Sequence, residues 1–208
     1  MSAALKILQA KCNVADDGSF GPNTARAIAK RYELSDKRGA HLLGQAHHES
    51  GGFKRTKEGL YYSTPERLMA VWPSRFKSVE DAQPYVKNPE ALANKVYNGR
   101  MGNEEGSNDG FKFSGKGFIQ LTGRSNYRSF SSDMRLPEVM QHPNFVETEY
   151  AFESALWFFR ANNLFKLCDQ GVDSDTIKAV TKKVNGGTHG LKDREEQTKK
   201  IYEWLTKA

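Results

Sequence analysis

The sequence predicts a mainly α-helical fold with at most a small β-hairpin. Apolar side chains recur at helical spacing in several separate segments, sustained period-2 alternation is absent, and the segments are separated by Gly and Pro.

Taken in order, "ALKILQAK" (residues 4 to 11) has a helical apolar face, and "DDGSFGPNTARAIAKRYEL" reads as a Gly/Pro turn followed by a second helix with Pro22 in its first turn. Ser35 and Asp36 start a third helix in "KRGAHLLGQAHHES", where Ala40, Leu43, Ala46 and His47 share a face and Gly51 and Gly52 end the run. Residues 65 to 97 read as short helices broken at Pro73, Pro84 and Pro89, and 98 to 114, "NGRMGNEEGSNDGFKFS", as a long surface loop. Any sheet is expected to be no more than a small hairpin near 110 to 122. Residues 149 to 163, "EYAFESALWFFRANN", are apolar almost all round and belong in the core with Trp157. Helices around 173 to 184 and from about 192 to 206 close the chain, and no internal repeat is evident.

With 208 residues, the chain is long enough for one good-sized core, or a core with a small appended lobe, and short for two full domains; one compact unit is the default. The net charge of +6 suits work near polyanions. Basic and aromatic residues are not interleaved as on a nucleic-acid surface, so nucleic acid is not an expected partner. No run approaches the roughly 18 apolar residues of a membrane span, and the N-terminal apolar run is too short for a secretory signal. Membrane insertion is therefore not expected, and the chain is placed in the cytoplasm until something else releases it. Cys12 and Cys168 lack zinc-site spacing and read as free thiols; no metal and no cofactor are expected.

The chemistry concentrates in "HHESGGFKRTKEG", which sets Glu49 at a helix end and Glu58 beyond two glycines. Glycosidic hydrolysis needs one carboxylic acid to protonate the leaving oxygen and one carboxylate to activate water or attack the sugar. Two arbitrary glutamates among 25 acidic residues are usually both surface groups, so their neighbours must decide. The zinc-metalloprotease motif is absent, because Gly52 stands where its second histidine belongs. In "GKGFIQLTGRSNY", Gln120, Thr122, Asn126 and Tyr127 supply neutral hydrogen-bonding groups suited to sugar hydroxyls, although the stretch reads equally well as a polar hairpin.

The phrases "HHESGGF", "VWPSRF", "ANKVYNGRMGN", "GKGFIQLTGRSNY", "AFESALWFF" and "VNGGTHGLKDR", in this order over about residues 35 to 205, resemble the family 19 glycoside hydrolases, a chitinase-like group that includes phage endolysins. Within it the sequence is most similar to short bacteriophage lysozymes. The resemblance implies a lysozyme-like helical fold of two lobes around a cleft and an inverting reaction. It makes Glu49 the general acid, Glu58 the general base, and Thr122 a holder of the attacking water. Gln120 and Asn126 would bind the sugar and its acetamido group, and Asn185 and Arg194 would form a polar pair near the acids. His48, Tyr127 and Tyr62 join the expected substrate-binding set. Trp72 reads as a core anchor before it reads as a stacking platform. Residues 1 to 34, where "DGSFGPNTARAI" resembles part of a peptidoglycan-binding module, are expected to pack on a catalytic domain at 35 to 208 whose smaller lobe lies around 83 to 130.

The leading expectation is a monomeric muramidase, an endolysin cleaving the β-1,4 bond between N-acetylmuramic acid and N-acetylglucosamine in bacterial peptidoglycan. It would wait in the host cytoplasm until a separate membrane-permeabilising partner admits it to the periplasm and wall. A lytic transglycosylase and a chitinase are the enzyme alternatives, and a wall-binding module is the alternative without catalysis.

Overall fold

The computed structural model describes residues 2–207. Two compact units divide the chain: unit 1 comprises Met1–Thr56, Gly117–Gln120 and Asn144–Ala208, and unit 2 comprises Lys57–Lys116 and Leu121–Pro143. The fold is mainly α-helical. Among the described residues no strand forms, and only two isolated antiparallel bridges, Lys57 with Lys116 and Lys116 with Leu121, occur.

Unit 1 begins with α1 (Ala3–Lys11), α2 (Pro22–Arg31) and α3 (Asp36–Glu49). Ser2 and Ser35 cap α1 and α3 by accepting from the backbone N–H of Leu5 and Arg38, and Pro22 opens α2, where its missing N–H costs nothing. Unit 2 then contributes α4 (Pro65–Val71), α5 (Val79–Ala82), α6 (Pro89–Tyr97), α7 (Asp109–Lys112), α8 (Arg124–Met134) and α9 (Glu138–Gln141). The chain returns to unit 1 for α10 (Ala151–Ala161), α11 (Leu164–Cys168), α12 (Ser174–Asn185) and α13 (Leu191–Thr206).

Every residue of α3 from Gly39 to Ala46 is buried, which makes α3 the axis of unit 1. It runs against α13, and Gly44 permits the approach: a Cβ there would lie 3.0 Å from both Cα and N of Thr198. Leu5, Leu8 and Ile28 from the first two helices and Phe152, Leu156 and Phe159 from α10 fill the same core. Cys12 and Cys168 are free thiols, and burial pushes them up to about 11 and about 12 respectively, so neither is a ready nucleophile.

In unit 2, Leu60, Leu68, Phe76, Leu92 and Val96 form the core. Trp72 packs against it, edge-on to Tyr62 with ring centroids 5.1 Å apart. The 98–114 segment is tied down by short polar side chains. Asn98 accepts from Gly110 N and donates to the Ser107 carbonyl, Asn103 donates to the Tyr97 carbonyl and accepts from Arg124 N, and Asp109 pairs with Arg124 at 2.9 Å. These bonds satisfy backbone groups that no regular element serves, and they fix the C-terminal end of α6. No helix among the described residues is long and apolar enough to cross a membrane.

Candidate active site

Glu49 is the last residue of α3. Beyond it Gly51, Gly52 and Phe53 hold φ values of +61°, +78° and +61°, a left-handed run that turns the chain sharply and that the two glycines make accessible. Ser50 locks the turn by donating to the Ala46 carbonyl and accepting from Phe53 N. The Phe53 ring, fully buried, anchors it in the core.

One face of α3 carries Gln45 and Glu49, four residues apart, and Arg194 from the first turn of α13 lies along both. Its Nη1 donates to Gln45 Oε1 at 2.6 Å, its Nη2 to Glu49 Oε1 at 2.5 Å, and its Nε to the His189 carbonyl at 3.0 Å. Gln45 in turn donates to Thr181 Oγ1 at 3.0 Å. The Arg194 side chain is 1% exposed and that of Glu49 is 24% exposed. A fixed guanidinium therefore holds one carboxylate oxygen, and among the described residues no hydrogen bond engages Glu49 Oε2.

Asn185 shapes the adjoining turn, accepting from Gly187 N and donating to the His189 carbonyl. His48 sits in space that Gly190 leaves by lacking a Cβ, and its Nδ1 lies 2.5 Å from Asp193 Oδ2. The hydrogen bond from His48 holds the Asp193 carboxyl below its usual range. His48, Glu49, Arg55, Asn185, His189 and Arg194 together line a pocket of about 350 Å³ in unit 1. Gln120, also in unit 1, has φ +55° and donates to the Gly117 carbonyl at 3.3 Å.

In unit 2, Glu58 is held at both ends. Its N–H donates to the Gly115 carbonyl at 3.0 Å, its Oε1 accepts from Gly115 N at 2.5 Å, and its Oε2 accepts from the Tyr97 hydroxyl at 2.7 Å. Burial, and then the Glu58 charge, push the Tyr97 phenol well up, so it remains a donor. Two acceptor positions are used out of roughly four on a carboxylate, leaving room for a water. Lys116 bridges both Lys57 and Leu121, which sets Thr122 one residue past the segment that pairs beside Glu58.

The remaining expected residues divide. Asn126 is exposed on the first turn of α8 and donates to the Thr122 carbonyl at 2.8 Å, bracing the Thr122 backbone. Tyr127, expected among the sugar-binding groups, is fully buried beneath α8, its hydroxyl donated to the Ser114 carbonyl at 3.0 Å and its ring edge-on to Phe113. It supports the segment that holds Glu58 and presents no hydroxyl to solvent. Tyr62 is half-buried against Trp72, and its carbonyl accepts from Lys87 N. Tyr97, Gln45, Arg55 and Asp193 were not singled out from sequence. Gln45 had a signal, a polar residue one turn before Glu49 on an otherwise apolar stretch. Among the described residues no group of His, Cys, Asp and Glu is placed to hold a metal.

Glycosidic hydrolysis uses a pair of carboxyl groups, and each unit holds one glutamate in place with hydrogen-bond donors, Arg194 for Glu49 and Tyr97 with Gly115 for Glu58. No protein-family model matches the chain. It is, however, similar to a glycosyl hydrolase family 19 domain-containing protein of Haemophilus influenzae, 34% identical over 160 residues that cover 74% of each chain. It is also similar to an acidic endochitinase of Populus trichocarpa, 30% identical over 146 residues that cover 67% of this chain and 34% of the poplar protein. The chain belongs to glycosyl hydrolase family 19, and is related to the plant endochitinases.

Proposed function

We propose that the protein hydrolyses the β-1,4 bonds of an N-acetylhexosamine polymer by inverting general acid and base catalysis. The observation that supports this most is Glu49, anchored through one oxygen to a buried arginine while the other is left uncommitted in a pocket. In this reading Glu49 protonates the leaving oxygen from Oε2, and the negative charge that develops on the carboxylate is met by the Arg194 guanidinium already in place. Glu58, oriented by Tyr97 and Gly115, removes a proton from the attacking water, which Thr122 helps to hold. Gln120, Asn126, Asn185, His48 and Tyr62 contribute to sugar binding, and Tyr127 acts on it indirectly by bracing residues 113 to 116.

Chitin is the substrate that similarity to the poplar endochitinase favours. Peptidoglycan is the second reading, favoured by the net charge of +6, since the wall polymer is anionic and chitin is not. In that reading the enzyme is an endolysin that gains access to the wall through a separate membrane-permeabilising partner. Incubation with N-acetylglucosamine oligomers and with purified peptidoglycan, followed by mass spectrometry, tests both. A new reducing end on either substrate is the expected product; 1,6-anhydro ends would assign a transglycosylase instead, and binding without cleavage would assign a wall-binding module.

A further inference from the structure

The pocket beside Glu49 is lined by an arginine that has no acidic partner among the described residues, a feature that a neutral sugar polymer does not explain. Glu49 and Arg194 hold each other at 2.5 Å, and His48 Nδ1 and Asp193 Oδ2 hold each other at 2.5 Å, so these four side chains are committed to one another. What remains is Arg55, which makes no ion pair among the described residues, and beside it the exposed side chain of His189, whose carbonyl alone is committed to Arg194 and Asn185.

Arg55 is also placed by the backbone. A Cβ at Gly51 would stand 3.2 Å from Arg55 Nη2 and 3.3 Å from its Nε, so the guanidinium lies over a glycine in a left-handed turn, where a side chain would push it off. The Arg55 N–H donates to the Ser50 carbonyl at 2.8 Å, which ties its backbone to the end of α3 two residues after the left-handed run of Gly51, Gly52 and Phe53. A planar five-donor fork is the group best matched to a carboxylate, which it can meet with two parallel hydrogen bonds. Sugar hydroxyls gain far less from its charge.

We infer that Arg55, assisted by His189, is a specificity-determining subsite for a carboxylate carried by the sugar bound next to Glu49, which selects acid-substituted N-acetylhexosamine polymers over neutral ones. This rests on the glycosidase reading above and deepens it. Two sources carry such a group: the lactyl substituent of N-acetylmuramic acid where it is free, and the peptide attached to that lactyl group where it is not.

The test compares four ligands: neutral N-acetylglucosamine oligomers, peptide-free N-acetylglucosamine–N-acetylmuramic acid oligomers, the same oligomers with the lactyl carboxylates converted to methylamides, and peptide-bearing oligomers. Both cleavage and calorimetric binding are measured for the wild type, Arg55→Gln and Arg55→Lys. The expected result is a preference for the carboxylate-bearing oligomers that weakens with salt, falls about tenfold in Arg55→Gln through KM and Kd rather than kcat, and is partly restored in Arg55→Lys. Preference for the free lactyl form over its methylamide assigns the lactyl source; preference for only the peptide-bearing form assigns the peptide. Equal binding of all four ligands by the wild type, or an unchanged preference in Arg55→Gln, overturns the subsite. Absence of cleavage of every ligand sinks the glycosidase reading instead, while the binding arm still decides the role of Arg55.

Discussion

Arg194 meets Glu49 at 2.5 Å with its guanidinium 1% exposed, and in the same plane of contacts it satisfies Gln45, which is fully buried on α3. One side chain therefore serves the candidate acid and the packing of α3 against α13. Arg194→Met removes the partner of the Gln45 carbonyl oxygen and is expected to cost about 1–3 kcal/mol of stability. Arg194→Lys keeps the charge but cannot bridge both acceptors. Both variants should lose more kcat than KM, and thermal unfolding together with steady-state kinetics on a soluble oligomer reads the two effects separately.

Tyr97 touches Glu58 at 2.7 Å and nothing in the turn chemistry of residues 98 to 114 requires its hydroxyl. Tyr97→Phe keeps the ring and deletes one hydrogen bond to a carboxylate, a bond that contributes about 1.5–3 kcal/mol and so about one to two powers of ten in rate if it orients the base. The expected outcome is a fall in kcat of that order with KM nearly unchanged. A full-rate Tyr97→Phe would show that Gly115 alone orients Glu58.

Gly44→Ala tests the packing that carries Glu49. The added methyl meets the Thr198 backbone at 3.0 Å, and overpacking of this kind costs about 1–3 kcal/mol. Because α3 must shift to accept it, the unfolding midpoint should drop and the activity of the folded fraction should drop with it.

Acid should destabilise the fold in two stages. Burial lowers His41 and His47 below their ordinary value of 6.5, so between that value and the folded ones the unfolded chain binds more protons and stability falls with pH. Asp169, lowered by its hydrogen bond from Arg38, and Asp193, lowered by His48, contribute stability that is present above the ordinary carboxylate range and lost as pH falls through their depressed values. His47→Phe, a substitution within the ring cluster of Phe20 and Phe53, should flatten part of the first stage and leave the second. Unfolding midpoints measured across the acid range check this.

The helices were legible because their signals are local. Ser35 caps α3, Pro22 and Pro89 open α2 and α6, and the apolar run at 149 to 163 lies in the core as α10. The sequence allows at most a small hairpin near 110 to 122, and two isolated bridges form there, because Gly117, Gln120 and Gly123 hold φ values of +84°, +55° and +90°, which bend the chain out of an extended ladder. The same residue types that suggested a turn between strands prevent the strands. The hydroxyl of Tyr127 suggests a sugar-binding group in the sequence, yet α8 begins at Arg124 and its periodicity turns Tyr127 inward while leaving Asn126 exposed. Tyr97 escaped notice for the opposite reason: its partner Glu58 lies 39 positions away, and no local pattern announces a phenol that reaches so far along the chain.

Following the anomeric configuration of the first-formed sugar by NMR during hydrolysis of a soluble oligomer, for the wild type, Glu49→Gln and Glu58→Gln, addresses the proposed chemistry most directly. Release of the inverted anomer by the wild type, with kcat lowered by at least about two powers of ten in each variant, is the predicted result. Retention of configuration, or a near-normal rate in either variant, would contradict it.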